Sequence, residues 1–191
     1  MNTPADGERN VKISCHNTDC DNGLHCYRPK KSPRAWAKPT GVCKECGDRS
    51  VDWDRVKRRD LADMAALQSE LRREWIRHYF WDKSLDQASK QLLAATSRSE
   101  MIERVRKELA KGVGPPRPFK DGTRVPVDNA KLEGHPIFYA QHATACCCKK
   151  CAYYWWGLPR DQQYTDQQVD FLTEMCMAYF DSRGLLPAGN P

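Results

Sequence analysis

Between Gly134 and Pro159 the chain reads GHPIFYAQHATACCCKKCAYYWWGLP, and this run constrains the fold more than any other because it crowds thiols, imidazole and aromatic rings into a few turns of backbone. Ile137 to Ala140 is β-branched and aromatic, which predicts a short buried strand. From Ala143 the residue preferences turn helical, and Gly157 followed by Leu158 and Pro159 is a stop. His142 then sits at a strand-to-helix turn. On the helix, Cys147 and Cys151 are four apart and Cys148 and Cys151 three apart, so either pair shares a face.

Three chemistries fit these residues. A tetrahedral zinc site needs thiolates or imidazoles converging at about 2.0 to 2.3 Å from the metal. His142, Cys147, Cys148 and Cys151 offer such groups locally, with His135 and Cys176 as alternative donors from elsewhere. A Cys/His catalytic pair, with His142 and Cys148 as the candidates and Lys149 and Lys150 nearby, would need a thiolate activated by imidazole. Plain core filling is the third reading, since free cysteine behaves as a small hydrophobe. Four cysteines within six positions argue against packing alone.

The motif QHATA-C-CC-x-x-C-x-x-x-W-x-G-L-P resembles the signature of a bacterial and phage family described only as a domain of unknown function, number 4186. Its members typically read HATATCC, two residues, Cys, then a Trp-His-Gly-Ile pattern. The resemblance spans roughly the last two thirds of the chain and implies no particular activity. Cys146 stands where the family usually has threonine, and Trp156 where it usually has histidine. By residue match, His142, Cys147, Cys148 and Cys151 remain the site candidates.

A second group of thiols precedes this region. Cys15 and Cys20 frame CHNTDC, Cys26 follows in GLHCYR, and Cys43 and Cys46 form a C-x-x-C-G knuckle. Two paired-cysteine turns joined by a basic, proline-containing linker are what a zinc ribbon requires, because the metal replaces an absent core. Cys15, Cys20, Cys43 and Cys46 are the expected ligands, with Cys26 as the substitute. His16 and His25 are read as solvent-exposed. The linker interleaves Arg28, Lys30, Lys31, Arg34 and Lys38 with Tyr27 and Trp36, a pattern of cations for phosphates and rings for bases. A solvated loop would have the same composition.

From Trp53 to Tyr79 apolar residues recur at helical spacing, predicting an amphipathic helix of about 25 residues, broken near Asp60. Its end, LRREWIRHYFWDK, carries Arg72, Arg73 and Arg77 among aromatics. These arginines either rim a core or face phosphate. Ser84 is expected to cap a short helix through Leu93, and Ser97 with Glu100 a longer one to Lys111, whose basic edge includes Arg98, Arg104, Arg106, Lys107 and Lys111. Residues 113–133 read as a proline-rich excursion or lid. Thr165 and Gln168 open a final helix ending at Gly184, with Cys176 on its apolar stripe.

The expected architecture is mainly α with small β elements: a zinc-ribbon-like module over residues 1–50, then a mostly helical domain over 51–191 carrying the Cys/His-rich centre. No run is long and apolar enough to span a membrane, and the polar N-terminus has no apolar export segment. A cytoplasmic location follows as the expectation, and there ten cysteines suggest metal or reactive thiols instead of disulfides. The formal charge of +6 favours a polyanionic partner. No Walker loop, dinucleotide glycine fingerprint, H-E-x-x-H or G-x-S-x-G is present. The zinc deaminase pattern lacks its glutamate, since Ala143 and Thr144 follow His142. The leading expectation is a zinc protein, with one ion in the N-terminal module and a second in the Cys/His centre, acting on DNA or RNA. A zinc- or thiol-dependent enzyme and a protein-binding adaptor are the alternatives.

Overall fold

The structure is a computed structural model that describes residues 13–30, 39–118, 121 and 133–186. Among these residues the regular structure is helical: α1 Trp53–Arg58, α2 Met64–Leu71, α3 Trp75–Asp82, α4 Gln87–Ala94, α5 Arg98–Gly112, α6 Pro136–Ala143, α7 Lys149–Trp156 and α8 Asp166–Ser182. Short 3-10 turns occupy Cys20–Asn22 and Leu61–Asp63. Helix α6 lies at the centre, packed against α3, α4 and α8, while α5 lies on α8 and α1 on α7. No described helix is long and apolar enough to cross a membrane.

The small β elements expected from the sequence do not form among the described residues. Only two isolated bridges occur, Asp19 with Leu24 and His25 with Glu74. Ile13 and Ser14 have no regular structure, and the rest of the strand expected from Val11 lies outside the described residues. Ile137 to Ala140, expected as a strand, are part of α6. Pro136 opens that helix with φ already set, and Thr144 Oγ1 bonds back to the Ala140 carbonyl at 2.7 Å to close it. The β preference of Ile, Phe and Tyr is a preference for half-buried surroundings, and a central helix supplies those equally well.

The long helix expected from Trp53 to Tyr79 is broken twice. Near the expected place, Arg59 adopts φ 56° and ends α1, and Asp60 caps the next turn by accepting from Ala62 N–H. The second break falls at Arg72 to Glu74, where the backbone leaves the helix to pair with His25: His25 N–H donates to Arg73 O at 2.8 Å and Trp75 N–H to His25 O at 2.9 Å. Asp86, not Ser84, caps α4 through Ser89 N–H. Ser97 caps α5, and Thr165 with Gln168 forms a reciprocal capping box on α8, both as expected. The basic edge of α5 holds α8 in place: Arg98 pairs with Asp181, and Arg106 with Asp166 at 3.0 Å and Asp170 at 2.7 Å.

Candidate metal centres

All ten cysteines are free thiols, and six of the sulfurs plus one imidazole are distributed between two clusters. The outer cluster is built from loops. Ligand atoms of Cys20, His25, Cys43 and Cys46 all lie within 4.8 Å of one another. The Cys20 and Cys43 sulfurs are 3.9 Å apart, and His25 Nδ1 is 3.4 Å from Cys46 Sγ. His25 thus takes the place expected for Cys15, and the residue is only 8% exposed, contrary to the solvent-facing reading. Sequence spacing could not reveal this, because the His25 orientation depends on its backbone bridge to Glu74.

The far side of the His25 ring carries a metal-site feature. Nε2 faces Asp48 at 3.7 Å, so a carboxylate can fix the tautomer that leaves Nδ1 toward the sulfurs, as outer partners of ligating histidines do. Asp48 is itself held by Tyr27 Oη at 2.7 Å and by Ser50 N–H at 3.0 Å. Burial opposes ionisation of Asp48, yet these donors and His25 hold its carboxyl down at about 2. Burial likewise opposes a Cys43 thiolate, but N–H groups of Cys26, Cys46 and Glu45 bring that thiol to about 6. Cys20 is pushed up to about 12 by burial and by its bonds to Cys46 and Cys43. A neighbourhood that favours one thiolate and disfavours the next is the expected state of crowded sulfurs sharing protons that a divalent cation would displace.

The inner cluster is buried. Cys147, Cys148 and Cys151 have sulfurs within 4.8 Å of one another, and none is more than 3% exposed. The chain approaches through Ala145 at φ 59°, a left-handed conformation that costs a non-glycine residue free energy. Cys148 is the N-cap of α7, and its sulfur accepts from Cys151 N–H at 3.4 Å. The N-terminal end of a helix dipole therefore points at the thiols. Cys151 is drawn well below the usual thiol range by bonding to Cys147, Cys148 and Cys15 and by the Arg77 charge, against its burial.

Arg77 is the residue whose role differs most from the expectation. It is fully buried, so it offers nothing to a nucleic acid. Its Nη2 donates to Cys151 Sγ at 3.0 Å and to Tyr154 Oη at 3.1 Å, its Nη1 to the His142 carbonyl at 2.5 Å, and its Nε to Glu74 at 3.0 Å. Glu74 is equally buried and also accepts from Trp155 Nε1 at 2.7 Å, Tyr154 Oη at 2.8 Å and Tyr27 N–H at 3.3 Å. Burial pushes its carboxyl up, but this ring of donors fits the ionised form. Burial works against the Arg77 charge too, and the Cys151 thiolate, Tyr154 and Glu74 retain it. A guanidinium laid on clustered thiolates in a buried site offsets their negative charge.

The remaining expected residues divide clearly. His142 is buried but is not among the converging donors. Its Nδ1 donates to Phe138 O at 2.7 Å, and its ring lies 4.7 Å from that of Phe80. His135 is the N-cap of α6 and meets Phe138. Cys146 and Cys176 face each other across the α6 and α8 seam, both within reach of Thr144 Oγ1, at 3.2 and 3.6 Å. Cys26 is fully buried, its thiol donating to Cys15 O at 3.2 Å. Arg28 is buried beside Cys151 and Cys15, which raise its affinity for its proton although burial opposes this. Arg72 pairs with Asp82 and Arg73 with Glu70, both at 3.1 Å. Lys30 is exposed, and Lys31, Arg34, Trp36 and Lys38 lie outside the described residues, as does most of the 113–133 excursion.

The Arg77 helix, the inner cluster and α8 up to Asp181 fall within residues 65–181, which match the family model described as "Domain of unknown function (DUF4186)". The chain belongs to that family. The outer cluster and Cys15 precede the matched residues. No curated protein and no solved structure matches the chain.

Proposed function

We propose that the chain is a cytoplasmic zinc protein acting on nucleic acid, with two thiolate-rich centres that hold the fold and a basic surface that makes the contact. The observation that carries the metal reading is His25, with Nδ1 toward three sulfurs and Nε2 toward Asp48. Sulfur and imidazole donors at tetrahedral count suit zinc, and ten unbridged thiols suit a reducing compartment. A fully protein-ligated outer centre keeps no position open for substrate, which favours a structural role over catalysis. The catalytic alternative is weakened further by Cys148 and His142, both buried and both engaged with backbone groups.

The nucleic-acid reading rests on a groove of about 500 Å³ between α5 and the start of α6, lined by Arg104, Lys107, Lys111, His135 and Phe138. Cations beside the half-buried Phe138 ring suit phosphates and bases. A Lys107→Glu, Lys111→Glu variant should bind single-stranded DNA or RNA more weakly, with the salt slope reduced by about two. Unchanged affinity in fluorescence anisotropy across a salt series, or no binding by the natural chain at low salt, would remove the nucleic-acid half of the proposal.

A further inference from the structure

The three converging sulfurs of the inner cluster leave a tetrahedral ion one donor short, and we propose that Cys15 supplies it, making a Cys15, Cys147, Cys148, Cys151 zinc site. This rests on the reading of the inner cluster as a metal centre. Cys15 was expected with Cys20, Cys43 and Cys46, but that set is completed by His25. Its side chain instead lies next to that of Cys151, and the residue is 6% exposed. The Cys15 backbone is held for this approach. Cys26 Sγ bonds to its carbonyl at 3.2 Å, and Lys44 Nζ bonds to the carbonyl of His16 at 2.8 Å.

The other nearby donors are committed elsewhere: Cys146 and Cys176 to each other and to Thr144, and the His142 Nδ1 to the Phe138 carbonyl. The surroundings suit an all-thiolate site. Arg77 touches Cys151, and Arg28 is close enough to Cys15, Cys148 and Cys151 to sense their charge. Two guanidinium groups then face the net double negative charge of a divalent ion with four thiolates. Cys15 lies outside the matched residues 65–181, so the family segment contributes three ligands and the preceding segment the fourth. The inner ion would join the two parts of the chain, which Cys15 and Cys20, five positions apart, enter at different centres.

The test is ¹¹³Cd NMR on the full chain loaded with cadmium. Two resonances are expected, one in the all-sulfur range and one shifted as three sulfurs and a nitrogen require. Cys15→Ser should shift only the all-sulfur resonance and weaken binding at that centre roughly tenfold or more, by analogy with the cost of disturbing a metal's outer partners. Cys26→Ser, a buried neighbour that is not a ligand, should leave both resonances in place. An unshifted all-sulfur resonance in Cys15→Ser would overturn the assignment. Should that variant not fold, the natural chain still decides, because a second resonance outside the all-sulfur range would refute a four-cysteine site. Uptake of one cadmium alone would instead refute the inner metal centre itself.

Discussion

The outer and inner clusters solve the same coordination problem in opposite surroundings. The outer donors come from loops and one 3-10 turn, Cys46 is exposed, and their supports are Tyr27, Trp53, Asp48 and the backbone bridge of His25. The inner donors sit at the start of a helix in a packed interior, with Arg77 and Glu74 buried against them. A loop-built site needs its ion to have a shape at all, whereas a core-built site needs its charges balanced. The two are joined at the break in the helix at Arg72 to Glu74, where His25 pairs with the backbone and Glu74 accepts from Tyr27 N–H, and by the Tyr27 and Trp53 rings packed on Trp155.

Metal removal should separate them most strongly, since structural zinc in small modules contributes on the order of 10 kcal/mol. A chelator titration followed by hydrogen exchange should release protection in the 39–50 and 20–27 segments first and in α3, α6 and α7 only later. Simultaneous loss would mean that the centres are one cooperative unit. Next in size is the buried ion pair. Glu74→Gln or Arg77→Met alone should each cost about 3 to 5 kcal/mol in chemical denaturation, because each leaves a buried charge uncompensated. The double variant should cost clearly less than their sum. Additive costs would contradict the Glu74, Arg77, thiolate network.

Smaller changes address one side at a time. Gly41 has φ 66°, and a Cβ there would lie 2.3 Å from Trp53 Nε1, which donates to its carbonyl at 2.8 Å. Gly41→Ala should therefore cost about 2 kcal/mol and disturb the outer side, read as quenching or shift of the Trp53 signal without loss of the inner centre. On the inner side, Asp86 accepts from Ser89 and from Gly134 N–H at 3.0 Å, positioning the entry to α6. Burial opposes its ionisation, but these bonds hold the carboxyl at about 2. Because the folded value is depressed, its stabilisation is complete above the unfolded carboxylate range near 4 and fades as pH falls toward 2. Asp86→Asn should cost about 1 kcal/mol at neutral pH after allowance for solvent screening, and the difference from the natural chain should shrink below about pH 4.

Local chemistry was legible wherever neighbours in sequence decide the outcome. Ser97, the Thr165 and Gln168 box, the left-handed stop at Gly157 and the break near Asp60 follow from a few adjacent residues. Clustering of Cys147, Cys148 and Cys151 was readable for the same reason. What escaped depends on distant partners. Arg77 looked like a surface cation until Glu74, Tyr154 and Cys151 surrounded it, and His25 looked solvated until the Glu74 bridge turned its ring inward. Cys15 and Cys20 looked paired because they are close in sequence, yet the turn at Cys15 sends its thiol toward α7. One signal for Arg77 was present, an arginine one helical turn after a glutamate in an aromatic-rich run.

The most direct test is the metal content of the intact chain, measured by native mass spectrometry and elemental analysis after purification without added metal. About two zinc ions per chain are expected, with a fold that unravels when chelator removes them. A bare polypeptide mass, with stability indifferent to chelator, would contradict both expectations.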